Sequence, residues 1–226
     1  MPLLALSSTS VRDPGAAGDG VCAHVHPHNI LGDGPLPGMA RDTVCGSGHL
    51  ATPNPDGTVP PSPATWSSPG WNAFEGVAGE LNEQGARNGT TLILRPHARH
   101  VLADPQSTLA WLKRSAPSHT RILLDPAAWL TAGMLADAQD HLARTFGAFA
   151  GHPAVWGVLL TTLVEAPSGE LAPAPLHAPG SPALPAGTLL GALAGFPVDR
   201  VPLVVLDEDA GAQREIVERA IGHEVT

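Results

Sequence analysis

Three histidines at alternate positions are the first residues in this sequence whose spacing could do chemistry. In AHVHPHNILGDG, His24, His26 and His28 recur every second residue, so on an extended strand all three project from one face. Converging neutral imidazoles can hold zinc or a similar ion. Pro27 interrupts the run before the third histidine, and a strand-end cluster without metal is the alternative. His49 closes the short segment GSGH. Asp125 stands immediately before Pro126, which confines it to extended backbone; it is either a turn acid ending a strand or a working carboxylate. Lys113 is the only lysine and lies in a helix-like stretch, WLKR, so Schiff-base chemistry, which needs a buried amine, is excluded.

These residues need elements to position them. Short apolar runs suited to buried parallel strands occur at 2–8, 20–26, 42–46, 91–96, 121–125, 155–163 and 201–206. Amphipathic helices are expected over 71–87, with Trp71, Phe74, Val77, Ala78 and Leu81 at helical spacing, and from Asp104 as N-cap and Pro105 as first helical residue to about Ser115. A third starts at Thr131 and carries Met134, Leu135, Ala138, Leu142, Phe146 and Phe149 on one side; two more fit 186–194 and 210–221. Strand and helix in alternation give a parallel sheet, open or closed into a barrel. The N-terminal third breaks that rhythm, because neither VRDPGAAGD nor HNILGDGPLPGMA has the length and pattern of a crossover helix. Two Pro-rich stretches, 51–69 and 166–185, each follow a strand. They either overhang the C-terminal mouth of a barrel, where ligands bind, or are disordered surface insertions.

Composition narrows the partners. The 226 residues are read as one domain over 1–226, with Gly 25 and Pro 24 concentrated in loops. A formal charge of −9 without any basic run argues against nucleic acid and anionic membranes. The opening MPLLALSSTS has neither a charged leader nor a long apolar core, so a cytoplasmic protein is expected. Cys22 and Cys45 lack metal-type spacing and read as two buried thiols.

From residue 91 the sequence reads TLILRPHARHVLADPQSTLAWLKRSAPSHTRILLDPAAWLTAGML. This resembles the xylose isomerase-like TIM-barrel superfamily, the sugar phosphate isomerases and epimerases that share a fold with endonuclease IV. The resemblance spans roughly residues 41–222. It implies an α/β (β/α) TIM-type barrel, degenerate or incomplete, with N-terminal crossover helices missing. It also implies a divalent cation held by acidic and His ligands at strand ends, beside which a proton moves between adjacent sugar carbons. Carried onto this sequence, that site is depleted. The acid of the family's Glu-Pro-His is Arg95, the following histidine is kept as His97, and the acid of Asp-Pro-Ala-Asn is kept as Asp125. Thr161 and Thr162 stand where the family has His-x-Lys-Asp, and the closing Glu falls near Leu206, with Asp207 or Glu208 as stand-ins.

The resemblance therefore implies that the guanidinium of Arg95 replaces the cation and pairs with Asp125, or binds a phosphate or carboxylate bidentately. A solvated arginine at the rim is the plain alternative. The expected catalytic groups are His97, Asp125 and Asp207, with Arg95, His26, His49, Thr161 and Thr162 contacting a sugar or sugar phosphate, and His28 also at the mouth. The family's metal is expected to be lost; any metal would fall to His24, His26, His28 and Asp125. Three functions stay open: a sugar isomerase or epimerase, a non-catalytic metabolite-binding pseudoenzyme, and a metal-dependent hydrolase built on the three histidines. The last rests on a likeness of His-x-His, with Asp33 and Gly34, to polymerase-and-histidinol-phosphatase hydrolases. The missing helices also suggest that a second copy of the chain covers the bare flank as a homodimer.

Overall fold

The computed structural model describes residues 3–13, 20–33 and 39–222. In chain order the elements are β1 (Leu3–Leu6), β2 (Ser10–Arg12), β3 (Val21–Val25), β4 (Thr43–Gly46), α1 (Pro63–Trp66), α2 (Ser68–Asn88), β5 (Leu92–Arg95), α3 (Pro105–Ser115) and β6 (Thr120–Leu124). Two 3-10 turns (Ala127–Trp129, Ala132–Asp137) lead into α4 (Ala138–Phe149), and then follow β7 (Val155–Leu159), β8 (Thr162–Glu165), β9 (Leu171–Ala174), α5 (Ala186–Ala192), β10 (Leu203–Leu206) and α6 (Ala210–Gly222).

Eight strands close into a barrel in the order β1-β10-β7-β6-β5-β4-β3-β2, and β8 and β9 pair separately. Each of the seven apolar runs of the sequence contains a barrel strand. The eighth, β2, is only SVR and gives no apolar run; it lies antiparallel to both neighbours. Three residues separate it from β1, far short of the dozen or so that a parallel crossover requires, so the chain can only reverse. Ser7 closes that turn, its Oγ accepting from the Ser10 amide at 3.0 Å. The barrel thus closes on a hairpin where a crossover helix is expected, and among the described residues no helix precedes α1.

Side-chain alternation divides the core in two. Leu4, Leu6, Val11, Ala23, Val44, Ile93, Leu123, Leu159 and Val204 fill the barrel interior. Their neighbours in sequence, among them Leu92, Leu94, Ile122, Leu124, Val158, Leu203 and Val205, face outward beneath the helices with Phe74, Trp111, Leu142 and Phe149. Asp104 caps α3 as its sequence indicates, accepting from the Ser107 amide at 2.7 Å.

Three expectations need correction. The 155–163 run is two strands, because after Leu159 the chain leaves the barrel and β8 turns back on β9. The helix expected from Thr131 begins as a 3-10 turn and becomes α-helical only at Ala138. Cys22 is exposed while Cys45 is buried, since Ala23 and Val25 take the inward positions of β3 and, among the described residues, no helix covers Cys22 outside. That outer flank carries Arg12, Cys22 and His24, all exposed. Among the described residues the exposed large apolar side chains are Leu50 and Trp66. No helix of the described chain is long and apolar enough to cross a membrane.

Candidate functional site

At the C-terminal ends of the parallel strands the barrel opens into a cavity of about 760 Å³, floored by Leu6, Val25, Val44 and Gly46 and walled by histidines and arginines. Both Pro-rich stretches are structured and reach it, 51–59 from one side and the β8–β9 turn from the other. They also bind each other: the Ser168 amide donates to Asp56 Oδ2 at 3.0 Å, and the Thr58 and Ser168 hydroxyls meet at 3.0 Å. Hydrogen bonds from Thr58 hold the Asp56 carboxyl well below the usual carboxylate range.

Arg95 ends β5 and Asp125 follows β6, each before a proline that keeps it extended and each two residues past an inward side chain, Ile93 and Leu123. Arg95 Nε and Nη2 both donate to Asp125 Oδ2, at 2.9 and 2.7 Å. The other carboxylate oxygen accepts from Thr161 Oγ1 and the Ala128 amide, each at 3.3 Å. The Asp125 side chain is 0% exposed and that of Arg95 26%. The carboxylate is thus saturated and lies beneath the guanidinium, which alone of the two lines the cavity.

Around Arg95 stand imidazoles held by backbone groups. The Asn29 side chain brackets the backbone of His49, its Oδ1 accepting from the His49 amide at 2.9 Å and its Nδ2 donating to the His49 carbonyl at 2.8 Å. His49 Nδ1 lies 2.9 Å from the Ala51 carbonyl; a carbonyl only accepts, so Nδ1 carries the proton. His97 is the reverse case, its Nδ1 accepting from the Arg99 amide at 3.0 Å. His100 sits between them, its ring centroid 5.4 Å from that of His49 and 5.1 Å from that of His97. Burial lowers all three pKa values, Arg95 and Arg99 adding to the effect at His97, which falls to about 3, while Ala51 and Asp33 partly offset it at His49. The cluster is therefore neutral at pH 7. Gly46 makes room for it, since a Cβ there would stand 2.7 Å from His100 Cε1. Gly48, at φ +82°, turns the chain toward His49 where a Cβ would meet Leu31 at 2.7 Å.

The sequence-derived set divides. Arg95, His26, His28, His49 and His97 line the cavity. Thr161 reaches only Asp125. Thr162 is fully buried, and its hydroxyl is spent on the carbonyls of Ala174 and Pro175 at 3.1 and 2.8 Å. Asp207 is exposed beyond β10 and does not line the cavity. His24 projects from the outer face of β3, whereas His26 and His28 lie past the strand end with their rings 5.3 Å apart, so the three do not converge. Gly34 lies outside the described residues. His100, Arg99 and Glu170 also line the cavity, Arg99 Nη2 meeting Glu170 Oε2 at 2.8 Å. The His-x-x-His spacing of 97 and 100 is a signal for the first; nothing in the sequence links Arg99 to Glu170, 71 positions on.

A divalent cation does not fit this arrangement. Asp125 has no oxygen to spare, a permanent cation occupies the space beside it, and among the described residues no group of three or more His, Cys, Asp or Glu could hold a metal ion.

No protein family matches the chain, and no curated protein matches it in sequence. Among solved structures it is similar to a xylose isomerase-like TIM barrel protein from Mycobacterium smegmatis in complex with magnesium (13% identity, TM-score 0.48, 82% of this chain and 62% of that one). It is also similar to the IOLI protein with a binding zinc atom (13%, 0.47, 80% and 61%) and to 3-keto-D-glucoside 4-epimerase, YcjR, from E. coli in apo form (17%, 0.47, 80% and 64%). The chain spans a little over three-fifths of the length of each. By its own strand order the chain is a closed α/β barrel of eight strands, and its likeness to these proteins is one of fold.

Proposed function

We propose that this barrel binds a small polyhydroxylated metabolite, a sugar or sugar phosphate, at its C-terminal mouth without a resident metal ion, as a divergent isomerase- or epimerase-like protein. The observation that carries this is the Arg95–Asp125 pair. A guanidinium held by two hydrogen bonds on one buried carboxylate is a fixed positive charge at the cavity edge, with N–H groups on Nη1 and Nη2 still able to donate. Asp125 is then a positioning residue for Arg95. Neutral imidazoles around it supply donors and acceptors matched to hydroxyl and carbonyl groups without the cost of burying further charge. A cavity of about 760 Å³ has the size of a small-molecule site.

The test is thermal stabilisation by a panel of aldoses, ketoses, inososes and their phosphates, with and without EDTA. Stabilisation that ignores EDTA and is lost in Arg95→Lys, which keeps the charge but not the fork, supports the reading. Stabilisation abolished by EDTA, or unchanged in Arg95→Lys, refutes it. A binder without turnover is the second reading, favoured by the saturation of Asp125, which leaves no carboxylate in the cavity floor to act as a base.

A further inference from the structure

The two imidazoles fixed by backbone groups are fixed in opposite tautomers. At His49 the proton is on Nδ1, tied to the Ala51 carbonyl, and Nε2 keeps a lone pair. At His97 the lone pair is on Nδ1, tied to the Arg99 amide, and Nε2 keeps the proton. Neither Nε2 is among the buried polar atoms lacking a partner, and neither has a partner among the described residues. Both residues line the cavity, so these nitrogens face its solvent. One offers a base and the other a donor, on either side of His100.

We infer that His49 and His97 form a metal-free acid/base pair that enolises an α-hydroxy ketone bound at the mouth, an inference that rests on the sugar-binding reading above. His49 Nε2 takes the proton from the carbon bearing the hydroxyl. The C–H electron pair becomes the carbon–carbon double bond, and the carbonyl π pair moves to its oxygen. His97 Nε2–H donates a hydrogen bond to that oxygen and keeps its proton, the part a neutral imidazole plays as an electrophile. The His49 imidazolium then returns a proton to carbon. Atoms and charge balance with no oxidant, reductant or metal, and exchange of the His49 proton with water replaces the substrate proton by a solvent one.

Deuterium entry into the C–H positions of dihydroxyacetone, D-fructose and D-fructose 6-phosphate, followed by proton NMR in D2O with EDTA present, reads this step directly. The wild-type protein is expected to catalyse exchange. His49→Gln should lose it at least about 100-fold; His97→Gln should lose a similar factor in kcat with KM little moved, and Asp207→Asn, outside the cavity, should match the wild type. The wild-type pH profile needs no variant. His49 faces His100 from the β5–α3 segment and Asp33 from the β3–β4 segment, and activity should hold below the ordinary imidazole pKa of about 6.5 before it falls. Stabilisation by sugar without exchange overturns the acid/base pair and leaves the binding reading standing. Neither stabilisation nor exchange overturns both. Exchange that survives in His49→Gln, or that EDTA abolishes, refutes the pair.

Discussion

Replacing Arg95 by methionine removes two of the four donors on Asp125 and leaves Oδ2 without a partner inside the barrel. The carboxylate is 0% exposed, so no water restores what is lost. Breaking a buried pair from one side costs about 3–5 kcal/mol. For a domain of this length each kcal/mol lowers Tm by roughly 2–4 °C, which puts the expected drop at about 6–20 °C. Asp125→Leu leaves the opposite orphan, but Arg95 is 26% exposed and can hydrate from the cavity, so its cost is expected nearer about 2 kcal/mol. The double variant Arg95→Met with Asp125→Leu should recover to within about 1–2 kcal/mol of wild type, because an apolar pair carries no desolvation penalty. Urea unfolding followed by tryptophan fluorescence, with m compared across the four proteins, measures all three numbers. A cost below about 1 kcal/mol for Arg95→Met, or a double variant as unstable as the sum of the singles, would refute the buried pair.

Stability should depend on pH through the cluster. Folding lowers the pKa of His97, His100 and His49, so as pH falls the unfolded chain takes up these protons first. Their full contribution is present above about 6.5 and declines from there toward about 3, each histidine adding a slope of up to about 1.4 kcal/mol per pH unit. Urea midpoints between pH 7 and 4.5 check this, and a slope unaffected by His97→Gln would contradict it. Gly46→Ala should push His100 off its place at a cost of about 1–3 kcal/mol, read by the same unfolding series; a variant as stable as wild type would mean the ring does not lie over Gly46. Asp56→Ala should release the β8–β9 turn without unfolding the barrel, seen as faster hydrogen exchange at the Ser168 amide while the Leu94 and Val204 amides keep their protection. Equal protection at Ser168 in both proteins would show that the bridge between the two loops does not hold it.

Most of the parallel strands were legible because they are buried on both faces and so read as apolar runs; β3, exposed on its outer face, was marked only by Val21, Ala23 and Val25. β2 was not, since three residues wedged between two hairpin partners need only one inward side chain, Val11. β9 stayed hidden inside a Pro-rich stretch because Pro173 sits in a two-stranded sheet, where a missing amide is tolerated at an edge. Arg95 and Asp125 were brought together by the resemblance, which sets both at the ends of adjacent strands, and not by any local pattern; the prolines after them account only for their extended backbone. Asp207 and Thr162 show the limit of that reasoning. A single position along the chain at β10 sends the acid outward, and the exit of β8 from the barrel turns Thr162 into a hairpin fastening. The fault with the three histidines was continuity: their common face requires a strand through His28, and the strand stops at Val25. His100 and the Arg99–Glu170 pair depend on loop geometry that no local pattern encodes.

The proposal that the Arg95 guanidinium stands in place of a metal ion is tested most directly by crystals grown with excess Mn2+ and measured at the manganese absorption edge. The expected map shows Arg95 lying on Asp125 Oδ2 and no anomalous peak within coordination distance of that carboxylate. A manganese ion bound by Asp125, with the arginine swung clear, would contradict the converted mouth and everything inferred from it.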